Sequence, residues 1–78
     1  MAVKAYVLID AAPGKVGNIV KALSGVPGVT AVDAVTGPHD AIVTLESNNL
    51  NNLGKLVTDK VQSLEGVMRT TTCVAVTV

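Results

Sequence analysis

Few side chains in this sequence are equipped for chemistry, and most of them fall in two short stretches. The first is Gly37-Pro38-His39-Asp40, which holds the single histidine; the second is Arg69-Thr70-Thr71-Thr72-Cys73, which holds the single cysteine. A histidine beside an aspartate suggests a general base and the group that orients it. Adjacent residues rarely point at each other, however, and no nucleophile lies nearby in sequence. A turn aspartate with an exposed neighbour is therefore the preferred reading. A binding role asks for less. Glycine lets a ligand approach the backbone closely, and an aspartate at a turn accepts from an ammonium group. Turn chemistry accounts for the same residues equally well, so spacing alone leaves both readings open.

In a strand, Thr70 and Thr72 share one face while Thr71, with Arg69 and Cys73, takes the other. Strand propensity is enough to explain the threonine run; the functional alternative is a pair of hydroxyls for a small polar ligand. Arg69 is read as a solvated charge and Cys73 as a small buried hydrophobe. One cysteine excludes an internal disulfide and any multi-cysteine metal motif. Asp10-Ala11-Ala12-Pro13-Gly14 ends a strand and opens a helix, so its amides could hold an anion. It lacks the glycine-rich phosphate pattern with Lys and Ser or Thr. No zinc spacing, carboxylate pair or nucleophile elbow appears, so neither catalysis, a cofactor nor a metal is expected.

The elements that position these residues follow from periodicity. Val3, Ala5, Val7 and Ile9 alternate with Lys4, Tyr6, Leu8 and Asp10, which predicts a strand. Pro13 is placed to open a helix with the stripe Val16, Ile19, Val20 and Leu23. Ser24-Gly25-Val26-Pro27-Gly28 stops it. Val29 to Thr36 reads as a second strand, Gly37 to Asp40 as a four-residue turn and Ala41 to Glu46 as a third strand, together an antiparallel hairpin. Ser47-Asn48-Asn49 supplies capping side chains for a second helix. Its stripe is Leu50, Leu53, Val57, Val61 and Leu64, with Leu56 beside it, and Gly66 ends it. Val67 to Val78 completes the pattern as a fourth strand.

Both helices close with related words, Val26-Pro27-Gly28-Val29 and Leu64-Glu65-Gly66-Val67, so each half is a βαβ unit. The pseudo-repeat predicts an α+β, ferredoxin-like βαββαβ fold, with a four-stranded antiparallel sheet and both helices on one face. At 78 residues there is room for a single domain, residues 1–78.

Composition bears on partners. Hydrophobic residues make up 49% of the chain and charged residues 15%, against roughly 25% charged in ordinary soluble domains. Leu8 and the mixed third strand leave apolar side chains on the sheet face that the helices do not cover. Such a patch is larger than monomers usually carry, so a second copy, sheet against sheet, is expected. Six basic residues balance six acidic ones, and one tyrosine is the only aromatic ring of the Phe, Tyr and Trp class. A chain with neither a basic field nor stacking platforms is not expected to bind nucleic acid directly. The N-terminus lacks a signal-peptide pattern and no apolar run is long enough to span a bilayer, which points to the cytoplasm.

Two segments carry a family resemblance. Val35-Thr36-Gly37-Pro38-His39-Asp40-Ala41-Ile42-Val43 and Gly66-Val67-Met68-Arg69-Thr70-Thr71-Thr72 together resemble the ligand-binding domain of Lrp/AsnC regulators, also called the RAM domain. The glycine, two spacers, aspartate and apolar strand are the most specific part. The resemblance implies a dimeric α/β barrel formed through the sheets, with dimers assembling into octameric or decameric rings. It also implies a free amino acid bound between dimers, with Gly37, Pro38, His39, Asp40, Thr70 and Thr72 lining the site. Family members carry an N-terminal helix-turn-helix that has no counterpart here, so a stand-alone domain is expected, one able to co-assemble with a full-length Lrp/AsnC regulator. The residue before the aspartate is often aromatic in the family and is His39 here. Two other readings have the same strand order. An ACT-like domain would bind its amino acid near Asp10 to Gly14. A small dimeric α/β-barrel enzyme would use His39 as acid and base, but the chain lacks the aromatics that usually line such a pocket.

Overall fold

The computed structural model describes residues 2–77, so Met1 and Val78 lie outside the described residues. Four strands, β1 (Val3–Ala11), β2 (Val29–Ala34), β3 (Ala41–Ser47) and β4 (Val67–Val74), form one antiparallel sheet in the order β2-β3-β1-β4. Two helices, α1 (Val16–Leu23) and α2 (Leu50–Leu56), connect them in the expected βαββαβ order.

Alternation decides which side of the sheet is covered. Ala5, Val7 and Ile9 of β1 and Ala41, Val43 and Leu45 of β3 are fully buried. Ile19 and Leu23 of α1 join the same core as Leu53, Val57 and Val61, so both helices cover one face. Burying each such Val, Leu or Ile contributes about 1.5–3 kcal/mol, and this cluster is the main source of stability. The edge strands add no fully buried residue, because each has a neighbour on one side only and the helices sit over the centre.

Several boundaries differ from those read in the sequence. β2 stops at Ala34 rather than Thr36, and the connection to β3 is six residues, Val35 to Asp40, closed by the Val35 amide donating to the Asp40 carbonyl at 2.9 Å. β4 stops at Val74 rather than running to the C-terminus. Val74 pairs with Ala5, the Ala75 amide still reaches the Lys4 carbonyl at 2.8 Å, and beyond that β1 runs out of partner. Pro13 does not open α1. A turn at Pro13-Gly14, closed by the Lys15 amide on the Ala12 carbonyl at 3.0 Å, delays the helix to Val16.

The second helix departs most. Leu50, placed on its apolar stripe, is 60% exposed at the first residue of α2. The inward residues begin at Leu53 and continue through Val57 and Val61. In an α-helix each step of four overshoots by roughly 40°, so a stripe spaced by fours drifts off the core. Val57–Val61 takes up the drift by widening into a π-helical turn, with the Gln62 amide donating to the Val57 carbonyl at 2.8 Å. The apolar spacing was legible; the widening it demands was not.

Candidate functional site

The end of the sheet where β1 finishes and β4 begins gathers most of the chemistry-bearing residues. Ile9 pairs with Ala41 on one side and with Thr70 on the other. Ala41, Ile9 and Thr70 therefore form one row across three strands, with adjacent strands about 4.8 Å apart. The Val35-to-Asp40 connection folds over this end. Gly37 within it holds φ at +137°, a conformation that side chains with a Cβ rarely adopt.

Three hydrogen bonds fasten the connection to β1. The Asp40 amide donates to the Ile9 carbonyl at 2.9 Å. The Ala11 amide donates to Asp40 Oδ2 at 2.7 Å. His39 Nδ1 lies 2.8 Å from Asp10 Oδ1. The Asp40 carboxylate thus supplies the acceptor that another residue of β3 would have offered had the strand continued. On the opposite side of β1 the next amide, Ala12, donates to the Gly66 carbonyl at 2.7 Å.

These contacts sort the residues singled out in the sequence. His39 and Asp40 meet the end of β1, Gly37 and Pro38 lie in the same connection, and Thr70 stands in the row through Ile9. Thr72 is opposite Val7, on the same face and about 7 Å further along β4. His39 and Asp40 do not pair with each other. His39 is half-buried against Asp10, and it is Asp40 that is exposed, the reverse of a turn aspartate with an exposed neighbour. In the sequence Asp10 stands out only as part of an anion-holding loop. The Ala11 and Ala12 amides of that segment, and the Lys15 amide just after it, donate within the protein and are not free for an anion.

Arg69 and Thr71 lie on the uncovered face, opposite Asp10 and Leu8. Cys73 is opposite Tyr6 on the same face and is exposed. It is not a buried hydrophobe, because β4 is an edge strand and no helix covers this side. Sequence reasoning also missed Gln62, whose Nε2 donates to Thr70 Oγ1 at 3.0 Å. Its only sequence signal is a polar residue one position after Val61 of the apolar stripe. Away from this end, a shallow groove of about 280 Å³ lies along the start of β2, lined by Ser24, Gly25 and Val29 to Val32. None of the expected site residues reaches it. Among the described residues no cluster of three His, Cys, Asp or Glu side chains is placed to hold a metal ion.

The family model for the Lrp/AsnC ligand-binding domain matches residues 4–78. The chain belongs to this family. Its Lrp/AsnC ligand-binding domain is 31% identical over 74 residues to an uncharacterized HTH-type transcriptional regulator of Pyrococcus abyssi, covering 95% of this chain and 47% of that protein. A counterpart from Pyrococcus horikoshii is 30% identical over the same shares. The chain thus spans about half the length of the curated relatives it matches. Among solved structures, a Thermus thermophilus protein superposes with a TM-score of 0.91 at 34% identity, covering 97% of this chain and 95% of that one. A transcriptional regulator from Neisseria meningitidis, crystallised as its L-Met complex, superposes at 0.86 with 17% identity over 96% of this chain and 50% of its own. That likeness is one of fold. Among the described residues of the Lrp/AsnC domain, no helix is long and apolar enough to cross a membrane.

Proposed function

We propose that this domain is an effector-binding module that takes up a free amino acid where the Gly37-to-Asp40 turn meets β4, and so modulates transcription through its regulator partners. The observation that carries this reading is the placement of Asp40. One carboxylate oxygen is held by the Ala11 amide, which fixes the group, while the side chain stays exposed. An ionised carboxylate has roughly four acceptor positions, so it retains capacity for an α-ammonium group. Gly37 and Pro38 contribute main chain, His39 steadies the turn through Asp10, and Thr70 offers a hydroxyl for the carboxylate. Thr72 is the weakest member of the proposed set, since it stands further along β4. Family membership supports the same ligand class, as does the L-Met complex of the Neisseria regulator.

The proposed assembly is a homo-oligomer built by sheet-to-sheet contact, with dimers forming octameric or decameric rings and the ligand between dimers. The uncovered face supports it: Leu8 and Ile42 stand at its centre beside Tyr6, Thr44, Thr71 and Cys73. A full-length Lrp/AsnC regulator is the proposed hetero-partner, the cytoplasm the proposed location, and direct nucleic-acid contact and catalysis form no part of the proposal. Light scattering should report a multimer for the unaltered chain and a smaller species for Leu8→Glu; a monomer throughout would remove the assembly.

Thermal denaturation with each of the twenty amino acids at millimolar concentration tests the ligand. At least one should raise the melting temperature, and Asp40→Ala should abolish the rise. If none does, amino-acid sensing fails for this chain.

A further inference from the structure

Every charged residue of the four strands, Lys4, Asp10, Asp33, Glu46 and Arg69, falls on the face that the helices leave bare. Asp10 is taken up by His39 Nδ1 at 2.8 Å. The other four make no ion pair among the described residues. Asp33 stands on the β2 edge and Arg69 on the β4 edge, both exposed. Asp33 is opposite Ile42, Ile42 opposite Leu8 and Leu8 opposite Thr71, so one row crosses the whole sheet. Arg69 is one row further, opposite Asp10. Three strand spacings, about 14 Å, separate the two edges, too far for Asp33 and Arg69 to pair within one chain.

A copy laid face to face on this sheet is related to it by a two-fold axis either parallel or perpendicular to the strands. About a parallel axis between β3 and β1, each central-strand residue meets the copy of its own register partner. Leu8 then meets Ile42, and Lys4 meets Glu46. The edges exchange, so β2 lies over β4 of the copy. Asp33 falls about 7 Å along the strand from Arg69 of that copy, within reach of an extended arginine. Asp10 also comes over Asp40, but both carboxylates are turned back on their own chain, to His39 and to the Ala11 amide.

A perpendicular axis through the centre lays each strand over its own copy. Lys4 then meets Asp10, Glu46 meets the like charge of Asp40, and Asp33 and Arg69 meet the uncharged Ala31 and Ala75. Only the parallel axis pairs every charge of the face that its own chain leaves unpaired.

We infer that a second copy docks on the bare face about a two-fold axis parallel to the strands, with Asp33 of each copy paired to Arg69 of the other at the rim. This rests on the sheet-to-sheet reading above and gives that assembly an orientation. In an isologous interface each such contact occurs twice, and rim charges fix register and exclude the wrong arrangement more than they add affinity.

The test is sedimentation of the full chain over a range of concentrations, with Arg69→Glu and Asp33→Arg studied separately and mixed. The first variant sets two carboxylates against each other at each rim and the second two guanidinium groups. Each alone should therefore self-associate about tenfold more weakly. Mixed one to one, they bring opposite charges together at both rims, and the mixture should associate as tightly as the unaltered chain. Both positions are exposed, and unchanged circular dichroism would show the variants folded. Lys60→Glu alters the net charge on the helical layer instead and should leave association as it was. Reversals without effect, or a weakening that mixing does not repair, overturn the inference; if Leu8→Glu still dissolves the assembly, the sheet-to-sheet reading stands. An unaltered chain that is monomeric throughout overturns both.

Discussion

The two halves of the chain end their helices with the same turn, yet only one of the two ends receives the His39 and Asp40 side chains. In the first half the Val29 amide donates to the Val26 carbonyl at 3.0 Å, Gly28 sits at φ +93°, and its carbonyl accepts from Glu46 on β3 at 2.8 Å. In the second half the Val67 amide donates to the Leu64 carbonyl at 3.2 Å, Gly66 sits at φ +96°, and its carbonyl accepts from Ala12 after β1 at 2.7 Å. Each turn stitches its edge strand to the central strand of the other half. At the Gly28 end the chain passes into α2 through Asn49, whose side chain accepts from the Asn52 amide at 2.8 Å. At the Gly66 end Lys15 offers α1 no side-chain cap, and the β2–β3 connection docks instead, bringing His39 and Asp40. The two halves repeat one scaffold, and the His39 and Asp40 side chains dock at one end of it.

Substitutions that strike the matching features separately should expose the difference. The largest effect is expected from Gly66→Ala, where a new Cβ meets Lys15 Cβ at 2.6 Å, an atom next to the backbone with nowhere to swing. With the left-handed φ added, the loss should reach about 3 kcal/mol. Gly28→Ala pays the same conformational cost but meets Leu56 Cδ2 at 2.7 Å, the tip of a flexible chain, so about 1.5 kcal/mol is expected. Urea unfolding of both variants measures the gap, and equal losses would make the two turns interchangeable after all.

Next come the two polar fastenings. Asp40→Ala strips the acceptor from the Ala11 amide and Asn49→Ala strips the cap from α2, each costing about 1 kcal/mol. Their stabilities should match while their ligand responses part: amino-acid binding survives Asn49→Ala and is lost in Asp40→Ala. The smallest effect belongs to the half-exposed His39–Asp10 contact. His39→Leu and Asp10→Ala should each cost about 0.5 kcal/mol, and the double variant should cost no more than either alone. Additive losses would mean that the pair does not act as a unit.

What the sequence disclosed tracks burial. The alternation of Val3 to Asp10 marked Ala5, Val7 and Ile9 as inward, and the spacing of Ile19 and Leu23 marked the inner side of α1, because a residue repeated at the period of its element against a dry core leaves a pattern. The edge strands left no such trace. Without burial to fix them, the ends of β2 and β4 were overrun, and their limits are set by where the partner strand stops. The turn glycine and aspartate were found from local chemistry, but Asp10–His39 and Ala11–Asp40 each join positions 29 residues apart, which no local spacing encodes. Gln62 escaped for a related reason: its position depends on a π turn that spacing by fours hints at only once the core is known.

The contrast between fully buried centre strands and bare margins has a consequence in time. Amides of β1 and β3, hydrogen-bonded on both sides over a dry face, can exchange with deuterium only when most of the domain opens, whereas β2 and β4 can release theirs by fraying. The Asp40 amide is bonded to the Ile9 carbonyl of a central strand, whereas Thr70 stands on an edge strand. A molecule bridging the two would bind a clock that barely moves to one that runs freely, and its arrival would be recorded as a slowing of the β4 amides alone.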